Sequence, residues 1–357
     1  MEKKWQAIAQ RLVTGLGVQS GELIAVRDGS GCFDLLLEVS LAIEKVGGTP
    51  LVQFLQGDYL ERMWREVPVE ILENWGHHRQ NWVRQIDRVL FMAGAQPERG
   101  QVPEAGLETW EQAMHQLTEI EEGRRLPFLL AAVPTARGAA QLGLSAEDLE
   151  ALLIPALSAS IEELQVEINR VLAKARSGHS IKILTGDGYI LHLEQGDRLW
   201  MSDDGFIDDV DIQRGAIVSN LPAGSIYTTV LEQKTNGQLW LPKAGPAKEV
   251  LFTFRDGRIV DIQASSGSAL LTEELDRHSG EARRVSHIGL GLNPYLNRPS
   301  GWTMVDEHIH GSLFIALGEN RYMGGSNASS LNVDYALAGA TLQVNDHLIV
   351  SKGVVLA

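Results

Sequence analysis

The feature that most constrains this chain is a change of pattern about halfway along it. Up to residue 178, runs of strand length alternate with helical stripes. Beyond that point the helical stripes largely give way to short strand-like runs. In the first half, "EKKWQAIAQRLVTGLG" places Trp5, Ile8, Ala9, Leu12 and Val13 on one helical face and stops at glycine. "ELIAV" then reads as a buried strand, "DLLLEVSLAIEKVGG" as a second helix closed by glycines, and "TPLVQFL" as the next strand. "RVLFMAG" and "LPFLLAAVP" continue the series. Strand–helix repetition of this kind predicts a parallel sheet covered by helices. "SAEDLEALLIPALSASIEELQVEINRVLAKARSG" predicts helix, with Ser145 and Asp148 in a capping arrangement. After it come runs such as "YILHLEQ", "SIYTTVL", "EVLFTFRDGRIVDIQA", "HIGLGLNP" and "ATLQVNDHLIVSKGVVL", with hairpin signals at "RDGR" and "VNDH" and one helix at "LTEELDRHSGEARRV". The expected architecture is an N-terminal α/β domain over 1–178 and a strand-rich α+β domain over 179–357.

Composition removes several function classes. The 357 residues carry a net charge of −15, which disfavours nucleic acid as a partner, and no basic patch is interleaved with aromatics. No apolar run is long enough to span a bilayer, and the first residues lack the apolar core of a signal peptide. The single cysteine, Cys32, excludes an internal disulfide and any cysteine-based zinc cluster. A cytoplasmic protein without nucleic-acid or membrane partners is expected.

Several polar motifs compete for a functional role. "RDGSGCFD" could cradle a phosphate, but it lacks the third glycine of a dinucleotide fingerprint, and a plain tight turn is the expectation. "MSDDGFIDDVD" has calcium-like acidity without calcium-loop spacing, so a solvated acidic loop is expected. The adjacent His77 and His78 read as surface residues. In "DEHIHGSLF", His308 and His310 would share one face of a strand, as two metal ligands can. His287 opens an apolar strand and needs a partner for each ring nitrogen: a metal, or a hydrogen-bonding group. Asn332 and Asp334 in "NASSLNVDY" occupy the spacing of a His-x-Asp metal pair, with Asn in place of His.

Read in order, "SNLPAGSIYT", "TNGQLWLP", "RRVSHIGLGLNP", "VDEHIHGSLFIALGEN" and "GGSNASSLNVD" resemble the thermophilic metalloaminopeptidases of the aminopeptidase T and aminopeptidase S types. They also resemble the related 2,5-dihydroxypyridine dioxygenases. The opening "AIAQRLVTGLGVQSGELIAV" extends the resemblance over nearly the whole chain. The peptidase likeness implies an aminopeptidase T-like fold, a homodimer, and two metal ions held by two Glu, two His and one Asp beside a Tyr. At those positions this sequence has Ser225, His287, Phe314, Asn332 and Asp334, with Tyr322 near the tyrosine. Only Asp334 keeps the implied ligand. Losing two carboxylates removes the charge that would offset two close cations.

The dioxygenase likeness implies instead one iron held by two His and an Asp, which His287 and Asp334 match and Asn332 does not. His310 is the candidate replacement. The expectation is therefore a metalloaminopeptidase-like protein with a degenerate metal site and no aminopeptidase activity. It would bind a peptide or a small amino-acid-like ligand through Ser225, Phe314, Tyr322 and Asp334, and could present it to pathway enzymes. The first alternative is a mononuclear iron-dependent, dioxygenase-like enzyme holding iron or zinc at His287, Asn332 and Asp334. An intact aminopeptidase ranks last.

Overall fold

The computed structural model describes residues 3–97, 102–176 and 179–356. Its strands, in chain order, begin with β1 (Leu23–Asp28), β2 (Thr49–Phe54), β3 (Arg88–Ala93), β4 (Phe128–Ala132), β5 (Ser180–Thr185) and β6 (Tyr189–Glu194). They continue with β7 (Met201–Asp203), β8 (Val218–Leu221), β9 (Ser225–Thr229), β10 (Asn236–Ala244), β11 (Ala247–Arg255) and β12 (Arg258–Gln263). The last are β13 (Val285–Gly291), β14 (Leu313–Gly318), β15 (Asn332–Leu337), β16 (Thr341–Val344), β17 (His347–Ser351) and β18 (Val354–Val355).

The chain forms two compact units, 1–160 with 205–222, and 161–204 with 223–357. The boundary expected at residue 178 therefore shifts, and residue 178 itself lies outside the described residues. The Ile161–Ala175 helix belongs to the second unit. Its apolar stripe of Leu164, Ile168, Val171 and Leu172 is buried there, so a helical pattern alone did not mark it as part of the α/β half. Conversely, β8 leaves the strand-rich half to become the outer strand of the first unit's sheet.

The first unit holds a five-stranded sheet in the order β2-β1-β3-β4-β8, parallel throughout. β1 opens with four apolar residues, Leu23 to Val26, and closes with the buried Arg27 and Asp28; burial along the whole strand is what a parallel sheet covered by helices requires. The Lys3–Leu16 helix buries Trp5, Ile8, Leu12 and Leu16 on one face, as its spacing predicts. Ser145 caps the Ala146–Leu157 helix by accepting from the Asp148 N–H at 3.0 Å.

The second unit contains two sheets. One has eight strands in the order β12-β11-β10-β6-β5-β16-β17-β18; the other has five in the order β15-β14-β13-β9-β7, all antiparallel. Both predicted hairpins form. β11 turns into β12 through Asp256 and Gly257, whose φ values of +48° and +82° suit a tight primed turn. β16 turns into β17 through Asn345. The parallel-sheet first half and strand-rich second half are as the sequence pattern predicts.

Candidate functional site

The five-stranded sheet of the second unit assembles the site. Side chains two apart on a strand share a face, so His287 shares one with Gly289 and Gly291. β13 pairs with β14, setting Gly289 opposite Phe314, and with β9, setting Gly289 opposite Tyr227. The result is an imidazole flanked by two rings: Phe314 edge-on at 5.9 Å between centroids and Tyr227 at 6.4 Å. Glycine at 289 makes this possible, because a Cβ there would overlap the Phe314 ring. β15 then places Asp334 opposite Ala316 of β14, and Asp334 Oδ1 comes within 3.0 Å of His287 Nε2.

His287 is only 7 % exposed, so its proton positions are set by its neighbours. Its Nδ1 lies 2.9 Å from Ser286 Oγ, and that hydroxyl donates to the Glu319 carbonyl at 2.6 Å. With its one hydrogen spent, Ser286 can only accept, so Nδ1 carries a proton and donates to it. Nε2 is left facing the Asp334 carboxylate. The 3.0 Å contact is not a well-formed hydrogen bond, because Asp334 Oδ1 is buried with no hydrogen-bond partner among the described residues.

Tyr322 follows in the Arg321–Met323 turn. The residue is 59 % exposed, but its hydroxyl end is packed against Ser286 and Asn332, whose Nδ2 donates to it at 3.4 Å. Burial of that end, aided by Asp334 and Glu307, pushes the phenol up to about 12 against the lowering effect of its hydrogen bonds. Tyr322 therefore stays a neutral donor across the physiological range.

Glu307 is the residue that sequence reading missed, although it lies inside "DEHIH". Burial, and then the carboxylates of Asp334, Asp203 and Asp306, push its carboxyl well above the ordinary range. No local pattern flagged it, because its acidic neighbours come from β15 and β7 as well as from its own segment. The site thus holds more carboxylate than its surroundings comfortably ionise.

Other expected residues lie elsewhere. Ser225 is buried and sits on the same sheet face, but it pairs with Gly291, four residues along β13 from His287. His310 is not on a strand: it follows the short Thr303–Asp306 helix, and Gly311 takes φ +82° before β14 begins. Its Nε2 meets Glu167 Oε1 at 3.0 Å, so it does not replace the missing ligand at 332. His308 is buried 3.9 Å from Asp203, and burial holds its imidazole toward the neutral form. The expected shared strand face of His308 and His310 is absent because the segment is a turn. The acidic loop has a structural role: Asp208 and Asp211 form a capping box on the Asp209–Arg214 helix. Asp28 holds the "DGSG" turn by accepting from the Ser30 and Gly31 N–H groups. His77 and His78 are exposed on a helix, as expected.

These residues do not fit a dinuclear metal centre. Phe314 offers no donor atom and Ser225 stands too far along the sheet. Among the described residues, no group of three or more His, Cys, Asp or Glu is arranged to hold a metal ion. For one ion the site offers two strong donors, His287 Nε2 and Asp334 Oδ1, plus the neutral amide of Asn332. Nor is any helix among the described residues long and apolar enough to cross a membrane.

The fold and this site define a two-unit, aminopeptidase T-like α/β protein. Aminopeptidase T (AmpT) from Thermus thermophilus superposes with a TM-score of 0.75 at 18 % identity, covering 99 % of each chain. The 2,5-dihydroxypyridine dioxygenase from Pseudomonas putida KT2440 gives 0.65 at 15 % identity, covering 99 % of this chain and 97 % of that one. At such identities the likeness concerns the fold. The chain belongs to the NicX: 2,5-dihydroxypyridine 5,6-dioxygenase family, whose model matches residues 144–357, more than half of the sequence. Comparison with curated protein sequences gives no match.

Proposed function

We propose that this chain is a ligand-binding member of its family, with a degenerate metal site that receives the ammonium group of a peptide or small amino-acid-like ligand. The observation that carries this reading is the crowding of carboxylates at the site, where the group nearest Asp334 Oδ1 is His287 Nε2 at 3.0 Å. Asp334 Oδ1 is buried without a hydrogen-bond partner among the described residues, and its charge helps drive Glu307 toward its protonated form. A buried carboxylate in this state calls for a cation. An ammonium brings three donors and one charge, enough to engage Asp334 and Glu307 without the additional anionic ligands that two metal ions demand. Phe314 and Tyr322 would supply apolar and polar walls for the adjoining side chain, with Ser225 farther along the same sheet face. In this reading no aminopeptidase reaction takes place, and the protein works as a homodimer.

The test compares L-leucinamide with its N-acetyl derivative by isothermal titration calorimetry. Leucinamide binds, the acetylated probe does not, and Asp334→Asn removes the difference. Equal binding of both probes, or leucinamide binding that Asp334→Asn leaves unchanged, contradicts the proposal.

A second reading rests on one specific distance. His287 Nε2 and Asp334 Oδ1 lie 3.0 Å apart, an imidazole nitrogen beside a carboxylate oxygen, and both are donor types that a first-row ion takes. On this reading His287, Asp334 and the Asn332 carbonyl would hold one iron or zinc ion, which would supply Lewis-acid or oxygen chemistry. Tyr322 would then donate a proton from its hydroxyl. Metal content separates the two readings.

A further inference from the structure

We infer that the first unit carries a separate binding site for a neutral, planar heteroaromatic molecule. The site is a cavity of about 390 Å³ between the Glu104–Arg124 helix and one face of the parallel sheet. It lies within the size range of small-molecule sites.

Its position follows from topology. In the order β2-β1-β3-β4-β8 the chain steps from β1 to β2 on one side and to β3 on the other, so β1 and β3 flank a switch point. Ligands in open α/β sheets bind outside the carboxyl ends of the strands at such a point. Gly29 and Gly94, just past the ends of β1 and β3, form one end of the cavity. From there it runs beneath the helix across Phe91 and Phe128, with Trp110 and Met114 opposite.

The chemistry of the occupant follows from what is left unpaired. Arg27 is 5 % exposed and reaches the cavity from β1. Its Nε donates to Gln53 at 3.1 Å, and its two terminal nitrogens each donate one hydrogen to Glu121, which is 8 % exposed. A guanidinium has five N–H donors, so two remain without a partner among the described residues. Trp110 adds a third, since its buried indole N–H has no hydrogen-bond partner among the described residues. Unpaired donors call for acceptors on the ligand. Glu121 already neutralises Arg27, and Glu122 also lines the cavity, so a carboxylate or phosphate would meet net negative charge. The aromatic walls favour a flat ring that stacks or packs edge-on. A fused heteroaromatic carbonyl satisfies all of these requirements.

The probe is isoquinolin-1(2H)-one, with naphthalene as the counterpart lacking an acceptor, followed by saturation-transfer NMR on the full chain. Saturable binding of the carbonyl compound is expected, about tenfold tighter than naphthalene, the worth of one well-made hydrogen bond. Met114→Trp fills the cavity and abolishes binding of both. Thr118→Phe, at the exposed rim, does the same if Met114→Trp does not fold. Arg27→Leu combined with Glu121→Leu leaves the net charge of the cavity unchanged and, with only the Trp110 donor left, narrows the difference between the two probes. No saturable binding of either probe, or binding indifferent to the filling variants, overturns the inference. So does concentration-dependent self-association that closes the cavity, since a second copy would then be its occupant.

Discussion

Gly289 is the position at which the geometry of the site can be tested by a single methyl group. A Cβ there would lie well inside 3.0 Å of three ring carbons of Phe314. The ring cannot swing away freely, because Phe314 is only 3 % exposed. Gly289→Ala therefore forces either the ring or the β13–β14 pairing to shift, a cost of about 1–3 kcal/mol typical of an overpacked core. Phe314→Ala alone loses about 3–5 kcal/mol through lost contacts and the cavity it leaves. In the double variant the clash is gone, and the methyl group introduced by Gly289→Ala partly fills the cavity. Its loss should fall short of the sum of the single losses by at least the ~1–3 kcal/mol assigned to the clash. The chain has two units, so a single unfolding midpoint is a poor readout. Native-state hydrogen exchange of the β13 and β14 amides reports the relevant segment. Additive losses, or a Gly289→Ala variant as protected as the parent, would refute the packing of Phe314 against Gly289 and with it the aromatic wall beside His287.

Other consequences are equally direct. Glu232 and Glu319 are each held at about 2, against an ordinary 4.5. For Glu232, burial opposes the shift and is outweighed by the Ser326 N–H and the Arg198 guanidinium; for Glu319, the Arg321 guanidinium leads. Because the folded values are depressed, their stabilisation is complete above pH 4.5 and is lost as the pH falls toward about 2. Glu232→Gln should flatten the acid limb of a melting-temperature profile, and an unchanged limb would contradict the assignment. Arg27→Met strands a buried Glu121 and should cost about 3–5 kcal/mol, while adding Glu121→Leu restores most of it. Failure of the second change to rescue, measured by native-state hydrogen exchange of the β1 and β3 amides, would mean the ion pair is not the buried contact described. Tyr322, held up at about 12, should stay almost wholly protonated at pH 10, where an ordinary phenol is half ionised, so the ultraviolet titrations of wild type and Tyr322→Phe should coincide up to about pH 10 and a difference there would contradict the shift.

The parallel and antiparallel halves were legible because each rests on local periodicity and turn chemistry: the Trp5–Leu12 stripe, the Asp256–Gly257 turn, the Ser145 cap. The unit boundary was not, because the Ile161–Ala175 helix has the same amphipathic stripe whichever unit buries it, and β8 joins a sheet whose other strands end some 86 residues earlier (Ala132 to Val218). At the site, His287 and Asp334 were identifiable from their motif contexts, and the register of β13, β14 and β15 brings them together. His310 was misplaced because spacing by two means a shared face only on a strand, and Gly311 breaks that condition. Glu307 stayed hidden because its altered proton affinity comes from burial and from carboxylates that include those on distant strands. The Arg27–Glu121 pair, 94 residues apart in sequence, left no local trace either.

The central claim is that Asp334 serves a ligand cation rather than a resident metal. Elemental analysis of the purified protein, before and after loading with iron, zinc or manganese and extensive dialysis, addresses it most directly. The account predicts far less than one tightly held equivalent of any of these metals, with no difference between the wild type and the Asp334→Ala and His287→Ala variants. One retained equivalent per chain, lost in both variants, would contradict it and establish the mononuclear reading.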